Sequence, residues 1–66
     1  MIVTINGESR EIPDGLSVAD MLGHLGIAGD RVAIERNRDI LPRAQWQGTA
    51  VAANDVYEIV HFVGGG

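Results

Sequence analysis

The dipeptide Asn6-Gly7 constrains this chain more than any other feature. It stands between Met1-Ile2-Val3-Thr4-Ile5, rich in β-branched residues, and a second extended run over residues 8–12. A two-residue Asn-Gly loop is the strongest short hairpin signal, because both residues tolerate the positive φ that such a turn demands. It also fixes the register, with Ile5 opposite Glu8, Val3 opposite Arg10 and Met1 opposite Ile12. Met1, Val3 and Ile5 then share one buried face, and the second strand is left as a charged sheet edge. Pro13-Asp14-Gly15 breaks that strand.

A short helix follows. Ser17 is its N-cap, Asp20 three residues on supplies the acidic half of a capping box, and Leu16 is set to pack on Met21 as a hydrophobic staple. Val18, Met21, Leu22 and Leu25 recur at helical spacing and form one apolar stripe, while His24 lies off it and faces solvent. Gly26 stands where a left-handed residue ends the helix. Residues 31–36 read as a third strand with Val32 and Ile34 inward and Ala33 outward. Asn37-Arg38-Asp39 turns the chain into a brief fourth strand at Ile40-Leu41, which Pro42 ends. Arg43-Ala44-Gln45-Trp46 reads as a single turn that lays Trp46 over the edge of the core. After a short extended piece at Ala50-Val51 and a turn at Asn54-Asp55, the last strand runs over residues 56–63. There Tyr57 and Ile59 face the helix, and Val60 and Phe62 face away from it. The expected core is Val3, Ile5, Leu22, Leu25, Val32, Ile34, Tyr57 and Ile59.

Composition narrows the chemistry. Sixty-six residues form one small domain, since a chain of this size buries only about 60% of its unfolded surface. With no cysteine there is no disulfide, no thiolate metal site and no thiol nucleophile. Nine acidic against five basic residues, all arginine, give a net charge of −4, which disfavours nucleic acid and suits partners with basic surfaces. No apolar run has the length of a membrane span, and no secretory leader is recognisable, so the expected setting is soluble and cytoplasmic. No triad, metal cluster or acid–base pair emerges, and His24 and His61 alone do not make one. Any metal or cofactor chemistry is therefore expected to reside in partners.

The sequence finishes on Val63-Gly64-Gly65-Gly66. Three glycines remove every Cβ and free the backbone to thread where a side chain would collide. Extended, Val63 to Gly66 spans about 13 Å, enough to carry the Gly66 carboxylate into a buried site of another protein. The expected division is a folded domain over residues 1–62 and a flexible tail over residues 63–66.

The order of hairpin, helix, two short strands and final strand implies an α+β fold in which the first and last strands lie parallel at the centre of a mixed sheet. This is the β-grasp arrangement, with four to five strands packed on one helix. The pattern, the length and the terminal glycines resemble the ubiquitin-like sulfur carriers over essentially the whole chain. Within them, Ile5-Asn6-Gly7-Glu8, Val18-Ala19-Asp20-Met21-Leu22, Val32-Ala33-Ile34-Glu35-Arg36-Asn37 and Ile40-Leu41-Pro42-Arg43-Ala44-Gln45-Trp46 are most similar to the thiamine-pathway branch.

That resemblance implies a protein that is not itself an enzyme and binds no cofactor. A ubiquitin-activating-like adenylyltransferase, using ATP and magnesium, would adenylate the Gly66 carboxylate. A persulfide donor would convert it to a thiocarboxylate, and thiazole synthase would accept the sulfur. Gly64 and Gly65 would thread the partner's channel, and an outward patch of Ala33, Val60, Phe62 and Val63 would bind the partner. Nucleic acid and membrane are not expected as partners, and the free chain is expected to be a monomer. Two other classes share the pattern: the small subunit of a different sulfur-transfer enzyme of the molybdopterin-synthase type, and a β-grasp interaction module with no covalent chemistry.

Overall fold

The computed structural model describes residues 1–62. Strands β1 (Ile2–Ile5) and β2 (Glu8–Glu11) form the opening hairpin, followed by helix α1 (Val18–His24), β3 (Val32–Arg36), β4 (Asp39–Leu41) and β5 (Val56–His61). Single 3-10 turns occupy Gly29–Arg31 and Arg43–Gln45. All five strands join one sheet in the order β2-β1-β5-β3-β4. β1 and β5 run parallel, and the remaining neighbours are antiparallel. This is the expected β-grasp architecture.

The hairpin takes the expected register, with Val3 opposite Arg10 and Ile5 opposite Glu8. Asn6 and Gly7 both adopt positive φ, 50° and 80°. Asn6 has a second task. Its backbone N–H donates to the Tyr57 carbonyl, and its side-chain amide accepts from the Ile59 N–H at 2.7 Å and donates to the Ile59 carbonyl at 3.1 Å. The turn residue thus extends the β1 side of the parallel ladder by one more pair of bonds.

Helix α1 carries the complete capping box. The Ser17 hydroxyl accepts from the Asp20 N–H, and the Asp20 carboxylate accepts from the Ser17 N–H. Gly26, at φ 72°, follows the C-cap Leu25. Val18, Met21 and Leu22 are buried against Val3, Ile5, Val32, Ile34, Tyr57 and Ile59 from one face of the sheet. Ile12, Trp46 and Val51 complete the core. The segment around Leu16 and the one around Val51 bond to each other through Val51 N–H to Leu16 C=O and Val18 N–H to Thr49 C=O.

Two expectations need correction. Leu25 is only partly buried, because the helix ends at His24 and the C-cap position swings to the rim of the core. The last strand stops at His61, where its antiparallel partner β3 begins at Val32, so Phe62 has no strand residue opposite it. Val63, the expected strand end, lies outside the described residues.

Asp55 carries the one buried acidic side chain among the described residues. One carboxylate oxygen accepts from Arg36 Nε at 3.1 Å, the Ala52 N–H at 2.9 Å and the Tyr57 hydroxyl at 2.9 Å, and the other accepts from Asn37 Nδ2 at 3.2 Å. Burial acts to raise this carboxyl, yet the donors from Ala52, Asn37, Tyr57 and Arg36 outweigh it and hold the carboxyl below its ordinary value. Burial, and then the Asp55 carboxylate, push the Tyr57 hydroxyl up to about 12. The cluster fastens the start of β5 to the β3–β4 turn, where Asn37 and Arg38 hold positive φ.

Asp55→Asn should cost about 1–3 kcal/mol at neutral pH, because an amide hydrogen would face the existing donors. A depressed carboxyl contributes stability above the unfolded value near 3.9, and loses it as pH falls through the folded value. Urea titrations of wild type and variant should therefore differ at neutrality and converge only below about pH 4. A gap that persists undiminished to about pH 2 contradicts the network's role.

Candidate functional site

With α1 on one face of the sheet, alternation along each strand assigns the other face. Ile2 and Thr4 from β1, Val56, Glu58 and Val60 from β5, Ala33 and Glu35 from β3, and Ile40 from β4 point away from the helix. Large apolar side chains are exposed at five described positions: Ile2, Ile40, Val56, Val60 and Phe62, between 42% and 78% accessible. The first four belong to this outer face, and Phe62 stands one residue past β5 beside it.

The face has an order along β5. Val56 marks its start beside Thr4 of β1, Glu58 its middle, and Val60 its far end. Ala33 and Val60 are direct cross-strand partners, both exposed. Phe62 lines a hollow with Ala33, Ile40, Pro42, Arg43 and Trp46. The structure therefore brings together Ala33, Val60 and Phe62 of the expected patch. Val63, Gly64, Gly65 and Gly66, the other expected site residues, lie outside the described residues.

Sequence reasoning expected acidic surroundings and a basic partner, but missed three members of this surface and the opposed pair of glutamates at its centre. Ile2, Val56 and Ile40 were legible by parity, since Val3, Tyr57 and Ile34 face inward and Ile40 sits opposite the outward Glu35. Glu35 and Glu58 are direct cross-strand partners in mid-face. Like charges placed opposite one another destabilise a sheet, and neither glutamate forms an ion pair among the described residues. A face that combines exposed aliphatic and aromatic side chains with two unneutralised carboxylates suits a partner that is apolar with a basic component.

The last described bond before the terminal segment is from the Phe62 N–H to the Arg31 carbonyl, 2.8 Å. It continues the register of β3 and β5 by one residue past the end of both strands, at the apolar end of the outer face. His61 is exposed next to it, and His24 is exposed on α1. Among the described residues no group of three or more His, Asp or Glu side chains is arranged to hold a metal ion, and no helix is long and apolar enough to cross a membrane.

Residues 3–66 match the ThiS family model. Over 66 residues the chain is 42% identical to a thiazole synthase of Paramagnetospirillum magneticum, a match that takes in all of this chain and 20% of that protein. It thus spans about a fifth of the length of the thiazole synthases it matches. Over 50 residues it is 36% identical to the sulfur carrier protein ThiS of Bacillus subtilis, with 76% of each protein covered. In three dimensions it superposes on the crystal structure of a thiamine biosynthesis protein (ThiS) from Geobacter metallireducens. The TM-score is 0.84, the identity 32%, and both chains are covered in full.

Phe62→Asp should change stability by no more than about 0.5 kcal/mol, because the side chain is exposed and off the core. Glu58→Gln should stabilise by a few tenths of a kcal/mol by relieving the opposed charges. Denaturation midpoints of the two variants check both statements. Unfolding of Phe62→Asp would place Phe62 in the core and remove it from the outer surface.

Proposed function

The chain belongs to the ThiS family, and from that membership we propose that it is a sulfur carrier of thiamine biosynthesis whose acyl chemistry takes place at Gly66. The observation that carries this reading is that the family match runs from the first strand through the last glycine. The outer face supports it, since a carrier needs a docking surface near its reactive end. Residues 1–62 act as the docking body and residues 63–66 as the reactive arm, with Val63 continuing the patch of Ala33, Val60 and Phe62.

A free Gly66 carboxylate is a poor electrophile. A ubiquitin-activating-like adenylyltransferase joins it to AMP from ATP, with magnesium, and releases pyrophosphate, which gives the carbonyl carbon a good leaving group. The terminal sulfur of a persulfide donor attacks that carbon and AMP departs. Cleavage of the remaining S–S bond by a thiol leaves sulfur on Gly66 as a thiocarboxylate. Thiazole synthase takes the sulfur. The similarity of this chain to a fifth of the length of two proteins named thiazole synthase supports that acceptor.

Affinity and chemistry occupy different parts of the chain. Ordering a backbone residue costs about 1–2 kcal/mol, so bare glycines do not draw themselves into a channel. Burying an exposed valine or phenylalanine contributes about 1.5–3 kcal/mol, so Val60 and Phe62 offset that cost. Glu35 and Glu58 add steering toward a basic surface, chiefly through the association rate. Gly64 and Gly65 keep the passage free of Cβ atoms.

The test is reconstitution with an adenylating enzyme, ATP, magnesium and a persulfide donor, followed by intact mass measurement. Wild type should gain the mass difference between sulfur and oxygen. A chain lacking Gly66 falls short by only about 3.5 Å, yet it should gain nothing while melting normally, because acyl transfer tolerates misplacement of about 1 Å poorly. Gly65→Ala should lose most of the product. Equal sulfuration of the truncated chain overturns the assignment of Gly66.

A further inference from the structure

The segment from Pro42 to Trp46 takes no part in the acyl chemistry, although it is the most distinctive motif in the chain. Pro42, at φ −59°, opens the 3-10 turn, and the Trp46 N–H closes it on the Arg43 carbonyl. The turn tucks the Trp46 ring into the core, where its Nε1–H donates to the Leu41 carbonyl at 2.9 Å. The Arg43 guanidinium then lies over that ring, 4.5 Å from its centroid.

Arg43 is not engaged by any carboxylate among the described residues. Its fork reaches the main chain instead, with Nη1 donating to the Gly29 carbonyl and Nη2 directed at the Val32 carbonyl at 3.4 Å. Those two carbonyls bracket Arg31, whose own carbonyl accepts the Phe62 N–H. Gly29 is part of the same fit, since a Cβ there would come within 3.1 Å of the Trp46 ring. Phe62 lines the hollow that Arg43 and Trp46 also line. An ammonium could not span two carbonyls while lying flat on the indole, so the site calls for a planar guanidinium.

We propose that Arg43 is a positioning residue: stacked on Trp46, it fixes the segment Gly29 to Val32 and, through the Arg31 carbonyl, holds Phe62 in register at the end of β5. Its importance for sulfur loading rests on the carrier reading above, but the positioning itself is a property of the free protein. Arg43 borders the outer face only through the hollow it shares with Ala33, Ile40 and Phe62, and a substitution that keeps the side-chain stem preserves that border. Loss of the fork therefore loosens Phe62 more than it disturbs the body of the outer face.

The experiment uses the full chain with Arg43→Lys and Arg43→Met, which retain the stem over the indole. Amide hydrogen exchange, followed residue by residue by NMR, should show Phe62 exchanging at least about tenfold faster in both variants, with Tyr57 and Ile59 within about threefold of wild type. In pyrophosphate exchange with an adenylating enzyme, kcat should fall by about tenfold or more while the KM for the carrier moves less than about threefold. Unchanged Phe62 exchange overturns the proposal. So does equal acceleration at all three amides, which marks a loss of global stability, or a KM effect without a kcat effect, which marks a direct partner contact. If wild type itself is not adenylated, the carrier reading fails while the exchange data still decide the role of Arg43.

Discussion

One helix of seven residues covers one face of a five-stranded sheet, and the rest of the molecule depends on that inequality. A chain of this length has no second helix to spare, so the buried apolar residues of β1, β3 and β5 all point to the same side. The opposite face must then be either polar or reserved for something outside the chain. Here it is mixed, with Ile2, Ile40, Val56 and Val60 exposed around two opposed glutamates. Such a face tolerates solvent yet gains from being covered.

β5 ties this arrangement together. It is the central strand, pairing with β1 on one side and β3 on the other, and its two ends are held differently. At the start, Asp55 gathers the side chains of Arg36, Asn37 and Tyr57 and the backbone N–H of Ala52, so two strands and two turns meet on one carboxylate. At the finish a backbone bond from the Phe62 N–H to the Arg31 carbonyl closes the described chain. The first end anchors the sheet without disulfide or metal.

Local chemistry was legible in the sequence, and chemistry between distant residues was not. Asn6-Gly7 announced the hairpin and its register, Ser17 and Asp20 the capped helix, and the alternation of Val32, Ala33 and Ile34 the inner and outer faces. Asp55 read only as a turn residue, because its partners Arg36 and Asn37 lie nearly twenty positions away and leave no periodic trace. The dual use of Asn6, as turn former and as clasp on Ile59, was hidden for the same reason. The Pro42 to Trp46 motif was conspicuous by residue type, but its reach to Gly29 and Val32 depends on a fold that brings the two turns together. Of the candidate site, Ala33, Val60 and Phe62 followed from strand parity. The opposed pair Glu35 and Glu58 needed the pairing of β3 with β5 to become visible.

The claim on which the functional account rests is that the bare sheet face meets the partner and the helix face does not. Titrating isotope-labelled protein with the adenylating enzyme, and following its backbone amides by NMR, tests this most directly. The account predicts that perturbation concentrates at Ala33, Glu35, Ile40, Glu58, Val60 and Phe62, while Ala19, Asp20 and Gly23 on α1 keep their free-state signals. Perturbation centred on α1, with the outer face unaffected, would contradict it.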